Sequence, residues 1–383
     1  MEILGEENDT LESSHRTPCC LLRQEIRRQR TVPCLHLFFF LCYGIIIQIG
    51  IRTGGTGMNR KEYHIVLDTS VKNPALTKWK KYESFFRHAL RQDPGSTVVI
   101  HNTSGRSVME TCRKITARGR SGNGEEEITL LIIGGDGTLN EAINGICDFD
   151  RVKIGYLPAG SANDFARSLG ILHKDKETIK AILDNKVRRV LDLGQVSYQD
   201  DGEVKRRFFN VSAGFGYDAA VCAEVDRSCV KKILNRLRLG KLVYLFMAVK
   251  LLFTAPVVSM KILLTGEEEG EIKSICTKRG FFAVCMNHAY EGGGFRFCPE
   301  ADPEDGILDL CLASDIFRPS FFRIFPSVYG GNHEKFSCFT IGKGREIRMT
   351  SALPMWLHVD GEAIGKTRRV VMRLHARKLK FII

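Results

Sequence analysis

No C-x-x-C pair and no paired histidine spacing occurs in the chain, although it carries thirteen cysteines. That excludes the zinc or disulfide framework which such a cysteine count invites. Cys19 and Cys20 are adjacent and the others are scattered. Cys147, Cys285 and Cys311 sit inside apolar runs, where a free thiol behaves as a small hydrophobe. A reducing cytosol is the compartment that fits. The chain also lacks any RNA- or DNA-reading motif, and its aromatics are not interleaved with basic residues as in a base-stacking platform. A formal charge of +12 therefore points away from nucleic acid and toward nucleotide phosphates or an acidic membrane surface.

Lysine is missing from the first 57 residues, which hold six arginines against six acids, so the whole +12 belongs to residues 58–383. Residues 31–51 are uncharged and follow Arg23, Arg27, Arg28 and Arg30, a pattern compatible with a membrane span or signal anchor. Pro33, His36, Gly44 and Gln48 interrupt it, and no small-residue cleavage pattern follows. Residues 1–57 read better as a poorly structured or spurious extension, with Met58 as the true start. Thr53-Gly54-Gly55-Thr56-Gly57 can be encoded as a purine-rich ribosome-binding stretch and spacer. An N-terminal peptide that starts upstream of Met58, seen by mass spectrometry, would remove that reading.

At 383 residues, with 44% apolar and 26% charged content, the chain is long enough for two globular domains. Its organising stretch is Leu131-Ile132-Ile133-Gly134-Gly135-Asp136-Gly137-Thr138-Leu139-Asn140. An apolar run over 128–133 stops at two glycines, and apolar periodicity over 139–146 starts at once: strand, tight turn, helix. Thr138 and Glu141 have capping-box spacing. Three glycines let a ligand approach the helix amides, which suits a phosphate. Asp136 would repel a polyphosphate unless a divalent cation lay between them, so the turn suits a metal-complexed nucleotide. A plain, well-capped βα turn fits the same residues.

Strands over 63–67, 97–101, 152–157 and 187–191 and helices over 76–90, 107–117, from 162 past 167, and 176–183 alternate around that turn. Trp79, Tyr82, Phe86 and Leu90, at helical spacing, read as core. The alternation predicts a Rossmann-like parallel α/β domain over 58–192, with its strand-to-helix turns at one edge and the last strand, about 372–383, available to complete it. From 207 onward strand-like runs dominate: 208–212, 257–264, 272–276, 281–287, 307–312, 345–349, 357–359 and 369–375. They predict a largely antiparallel β-sandwich domain over 193–371, interrupted by one helical region at 219–254.

Three further motifs follow in order: Pro158-Ala159-Gly160-Ser161-Ala162-Asn163-Asp164-Phe165-Ala166-Arg167; Tyr290-Glu291-Gly292-Gly293-Gly294 with Asp302-Pro303-Glu304-Asp305-Gly306-Ile307-Leu308-Asp309; and Val359-Asp360-Gly361-Glu362. With the Gly134 turn, residues 58–383 resemble the bacterial lipid kinases that share the diacylglycerol kinase catalytic domain. The resemblance implies an NAD kinase-like nucleotide domain, a β-sandwich domain, an active site between them, and ATP- and Mg²⁺-dependent phosphorylation of a lipid hydroxyl. By the same resemblance Gly134, Gly135, Gly137 and Thr138 would hold ATP phosphates, with Asp136 facing metal and phosphates. Gly160, Ser161 and Asn163 would complete the crevice and Asp164 would order it. Asp192 would help hold the catalytic Mg²⁺ through water. Asp360 would be the general base, with Glu362 close by. The Asp302 and Ile307 carbonyls with the Asp305 carboxylate would form a second, structural Mg²⁺ site. Ordinary roles stay open for several: hairpin turns at Asp305-Gly306 and Asp360-Gly361, a helix cap at Asp164, a turn residue at Asp192.

One departure stands out. Where the family has Asn-Pro-x-Ser or Ala after the first strand, this chain has Leu67-Asp68-Thr69-Ser70-Val71-Lys72-Asn73. That predicts weaker ATP contacts from the first loop, or a different donor. Lys231, Lys232, Arg236, Arg238 and Lys241 precede an apolar run over 242–253, which suits peripheral docking on anionic lipid or, alternatively, a buried interdomain helix. The expectation is a cytoplasmic, peripherally membrane-associated kinase of diacylglycerol or a similar lipid, compatible with a homodimer. The alternatives are a sphingoid-base or glycolipid kinase, or a nucleotide- or lipid-binding regulator with little turnover.

Overall fold

The computed structural model describes residues 61–68, 74–91, 96–103, 107–118, 127–227, 240–266 and 271–383. The 1–57 extension with its apolar stretch, the loop at 69–73, the basic residues Lys231, Lys232, Arg236 and Arg238, and the side chains at 241–245 lie outside the described residues.

Strands β1 (Lys61–Leu67), β2 (Ser96–Asn102), β3 (Ile128–Gly134) and β4 (Val152–Pro158) run parallel in the order β2-β1-β3-β4. β15 (Leu379–Phe381) adds parallel to β4, and β5 (Arg189–Leu191) closes the sheet antiparallel to β15. Helices α1 (Pro74–Arg91), α2 (Val108–Arg118), α3 (Asp136–Asn144), α4 (Asp164–Ser168) and α5 (Asp175–Asp184) cover both faces. Side chains alternate along a strand, so β3 feeds two cores. Leu131 and Ile133 pack with Trp79 and Phe86 of α1 and Ile182 of α5, while Leu130 and Ile132 pack with Ile143 of α3 and Phe165 of α4. This is a Rossmann-like layer with its βα turns along one edge.

The second sheet has nine strands: β6 (Gly194–Asp200), β7 (Glu203–Phe209), β8 (Ser212–Gly216), β9 (Val258–Thr265), β10 (Ile272–Met286), β11 (Leu308–Ser314), β12 (Phe339–Gly344), β13 (Glu346–Val359) and β14 (Glu362–Leu374). β8 and β9 each pair with both β10 and β13, so these four strands close a ring around Phe215, Ile262, Cys285 and Leu357. Outside it, α6 (Tyr217–Arg227), α7 (Gly240–Thr254) and α8 (Phe321–Tyr329) cover an aromatic cluster that includes Tyr217, Phe281 and Phe282.

Several sequence expectations change here. The paired strands 272–276 with 281–287, and 345–349 with 357–359, are single long strands, β10 and β13. Both are broken by register shifts, and Pro354 of β13 sits in the shift between Thr350 and Met355, where no ladder amide is needed. The β6–β7 hairpin and α8 were not expected. Asp201 (φ 49°) and Gly202 (φ 85°) make the hairpin's turn, but β7 is exposed over most of its length and shows no apolar alternation. Helix α8 holds Pro326 among aromatic and β-branched residues, which lowers its helical propensity. The eight cysteines among the described residues are all free thiols. No helix among them is long and apolar enough to cross a membrane.

Candidate active site

The two glycine turns meet backbone to backbone. A Cβ on Gly160 would fall 2.6 Å from the Gly135 Cα, and one on Gly135 would fall 3.2 Å from the Gly160 Cα. Only glycine permits that approach. The turns are also tied by polar contacts: Gly134 O accepts from Ala159 N at 2.7 Å. Asp136 Oδ2 and Oδ1 accept from Asp164 N (3.0 Å) and Phe165 N (3.3 Å), so Asp136 caps the helix that follows the second turn. Asn163, left-handed at φ 52°, folds its amide back on Gly160 N and O at 2.9 and 2.8 Å, which stiffens the turn instead of facing outward. Gly160 and Ser161 are exposed at the rim, and a Cβ on Gly137 would meet nothing within 4 Å. The first-turn amides of α3 thus border open space, where a phosphate fits.

The capping box between Thr138 and Glu141 is absent. The helix begins at Asp136 with Gly135 as its N-cap, which puts Thr138 and Glu141 too far along to serve it. Thr138 Oγ1 donates instead to Asp68 Oδ2 at 2.8 Å, and Glu141 Oε2 accepts from Val108 N (3.1 Å) and Ser107 Oγ (3.3 Å) at the start of α2. Asp68, the residue after β1, is therefore tied to the Gly134 turn.

Asp360 arrives from the β-sandwich. It sits at φ 47° between β13 and β14, and its carboxylate accepts four hydrogen bonds. Asn140 Nδ2 (2.7 Å) and Asn210 N (2.9 Å) reach Oδ2; Val211 N (2.8 Å) and Ser212 N (3.0 Å) reach Oδ1. Asn140 lies one helical turn beyond Asp136 on α3, so Asp136 and Asp360 share that helix face. Arg207 of β7 bridges Asn140 Oδ1 (3.1 Å) and Glu362, which stays half exposed. A cavity of about 300 Å³ opens beside this group, lined by Asp68, Ser107, Val108, Met109, Glu141, Arg207 and Glu362.

Behind Asp360, His358 is fully buried. Its Nε2 lies 3.0 Å from Asp218 Oδ2 and 3.1 Å from Glu291 Oε1, and Gly361 N donates to its Nδ1 at 3.2 Å. Burial opposes a positive ring, but Glu291, Cys222 and Asp218 outweigh it and hold the pKa well above its ordinary value. A second proton on Nδ1 would meet the Gly361 amide, so protonation competes with the bond that shapes the Asp360 turn. Glu291 opens a turn whose three glycines have φ of 63°, 88° and 123°; from it Gly293 N donates to Asp164 Oδ2 at 2.6 Å. Both domains thus close on the same crevice.

Carboxylate repulsion marks the site. Burial, then Asp164 and, more weakly, Asp360 push Asp136 up to about 6, against the pull of the Asp164 and Phe165 amides. Burial likewise raises Asp360, opposed by its four hydrogen bonds. Since Asp136's folded value lies above its unfolded one, its stabilising effect is complete below about pH 4 and is lost as pH rises through 6. Between pH 4.5 and 7.5 without divalent cation, the wild-type protein should lose about 2 kcal/mol of stability relative to Asp136→Asn, measured by chemical denaturation. Parallel curves for the two proteins would contradict the assignment.

Asn287 Nδ2 donates to both Asp192 O (3.0 Å) and Asn210 O (2.9 Å), which sets Asp192 beside the residues that hold Asp360, with carboxylate partners of its own. Asp192 Oδ2 accepts from Gly306 N (2.8 Å), its Oδ1 pairs with Lys378 (2.8 Å), and its amide donates to Pro303 O. Nearby Asp305 is raised by burial and, more weakly, by Asp302 and Asp192, against the Ile307 amide and Lys343. The 302–307 loop is shaped by Asp302 Oδ1 accepting from Glu304 N and Asp305 Oδ1 accepting from Ile307 N. Among the described residues no three His, Cys, Asp or Glu side chains are already arranged to hold an ion.

Residues 65–196 match the diacylglycerol kinase catalytic domain, and residues 211–382 match the YegS C-terminal NAD kinase beta sandwich-like domain. A Bacillus subtilis protein named only as a candidate lipid kinase, YtlR, is 29% identical over 62% of this chain and 75% of its own length. A diacylglycerol kinase of Mycobacterium tuberculosis is 31% identical over 53% of this chain, an alignment that spans 60% of that relative. The crystal structure of a diacylglycerol kinase from Bacillus anthracis superposes with a TM-score of 0.55 at 18% identity, covering 84% of this chain and 96% of that one, and shares its fold. With both domain models matched in tandem, the chain belongs to the diacylglycerol kinase-like lipid kinases. A kinase of this family implies ATP as donor.

Asn140, Arg207, Asn210 and His358 were not singled out from sequence. Asn140 was the accessible one: it lies four residues after Asp136, the i, i+4 spacing that sets two side chains on one helix face.

Proposed function

We propose that the protein transfers the γ-phosphoryl group of ATP to the hydroxyl of diacylglycerol or a closely related lipid, giving a phosphatidic acid-type product. One observation carries the reading: Asp360, from the β-sandwich, is hydrogen-bonded to the helix that the Gly134-Gly135-Asp136-Gly137-Thr138 turn begins. Acceptor deprotonation and phosphate binding therefore belong to one crevice.

The α3 amides after Gly135 and the rim at Gly160 and Ser161 bind the triphosphate. Mg²⁺ fits the donor chemistry, since Asp164 and Asp360 both repel Asp136 and Asp68 and Glu141 border the cavity; Asp136 would face the ion, which would neutralise charge on the transferring phosphoryl oxygens. The lipid oxygen forms its bond to the γ-phosphorus, the bond to the bridging oxygen breaks, ADP leaves, and Asp360 takes the hydroxyl proton. All four acceptor positions on Asp360 are already filled, so one donor must yield. Three are backbone amides, and Asn140 is the one side chain. Asn140 is thus a positioning residue, steered by Arg207 and Glu362. The Asp302 and Ile307 carbonyls with the Asp305 carboxylate suit a second, structural Mg²⁺, because they are hard oxygen donors gathered on one tight loop. The acceptor is dissolved in a bilayer, so the protein works at a membrane surface.

The test is incubation of the protein with labelled ATP, Mg²⁺ and a panel of diacylglycerol, sphingoid base and glycolipid in mixed micelles. Labelled phosphatidic acid is the expected product. ATP binding without product from any lipid would leave the regulator reading instead.

A further inference from the structure

Five of the six exposed large aromatic residues among the described residues lie in two short segments: Phe246 (59%), Phe253 (54%), Phe317 (71%), Phe322 (60%) and Tyr329 (56%). On α7, Phe246, Lys250 and Phe253 point outward at i, i+4 and i+7, while Met247, Ala248 and Leu252 pack inward. On α8, Phe322, Arg323, Pro326 and Tyr329 face out, while Ile324 and Val328 are buried in the same cluster. The Arg318 guanidinium donates to Phe253 O and to Ala255 O (2.7 Å), which fixes Phe317 beside the end of α7. Residues 246–257 and 316–332 contain Lys250, Arg318 and Arg323 and no acid, although Lys250 also pairs with Glu224. A soluble surface seldom gathers this much exposed aromatic area.

Relying on the lipid-kinase reading, we propose that this α7–α8 face docks on an anionic phospholipid bilayer. Aromatic side chains seat at the headgroup level while cations at the rim meet lipid phosphates. The face is continuous with the crevice. Aromatic rings lead from Phe321 to Phe325 (5.0 Å), to Phe295 (4.8 Å) and to Tyr329 (5.5 Å from Phe295). Phe295 ends the glycine turn whose Gly293 amide holds Asp164. Acyl chains leaving the bilayer along that row keep apolar contact as the hydroxyl approaches Asp360.

The experiment is co-sedimentation of the full chain with phosphatidylcholine vesicles and with vesicles carrying about 30% phosphatidylglycerol. Binding only to the anionic vesicles is expected. Phe317→Ser with Phe322→Ser should weaken it about tenfold, as should Arg323→Glu alone. Ile272→Ser, an equally exposed apolar change elsewhere, should leave it intact. Equal binding to neutral vesicles, unchanged binding by the aromatic double variant, or no vesicle binding together with self-association that the double variant relieves, would each overturn the proposal. Sedimentation needs no turnover, so a chain that binds vesicles yet phosphorylates no lipid counts against the kinase reading and leaves the surface standing.

Discussion

Asp360→Asn is expected to lower kcat about a thousandfold and to lower the melting temperature as well. The two losses have different causes. Turnover falls because an amide cannot take the acceptor's proton. Stability falls because four donors converge on the Asp360 side chain, and asparagine offers them one oxygen and an NH₂ that meets N–H groups head-on. Leaving such a buried donor unsatisfied costs about 1–3 kcal/mol. A variant that melts lower but still turns over within about tenfold of wild type would remove Asp360 as the base. Asn140→Ala is the companion. It removes one bond that favours the charged carboxylate, so Asp360's pKa rises further and the acid limb of the kcat profile moves to higher pH. A lower kcat with an unmoved limb would make Asn140 merely structural.

The second large effect is Gly160→Ala. The added methyl would lie 2.6 Å from the Gly135 Cα and 3.0 Å from Asn163 Oδ1. Its neighbour is backbone, which cannot swing aside, so the two turns must part. Spreading a crevice by about 1 Å can cost a hundredfold in function, and ATP affinity by calorimetry should fall on that order, with a lower melting temperature. Gly137→Ala supplies the contrast. Its methyl enters open space, so the fold should melt as wild type while ATP binding weakens. If Gly160→Ala binds ATP normally, the nucleotide does not lie across the paired turns.

Much of this site is legible in the chain because it sits at punctuation. Two glycine-bearing turns each follow an apolar run, and a Val-Asp-Gly-Glu stretch closes a hairpin. What escaped was partnership between distant residues. Thr138 and Glu141 have the spacing of a capping box, yet tertiary neighbours claim both: Asp68 takes the hydroxyl, and the α2 amides take the carboxylate. Asp192 carries no local sign that its carboxylate meets Gly306 and Lys378. The β6–β7 hairpin hid because its outer strand is polar throughout, and α8 because aromatics and an internal proline obscure helical propensity. Single polar residues such as Asn140 and Arg207 belong to no periodic pattern. Their role exists only once the sandwich is laid against α3.

The placement of β15 has a consequence for biogenesis. Residues 379–381 are inserted between β4 and β5, more than 180 positions after either neighbour has left the ribosome. The nucleotide layer therefore waits, with an unfilled slot between β4 and β5, until residues 379–381 have been made. Until then that gap is open to foreign strands, and chaperone cover during translation guards against aggregation there.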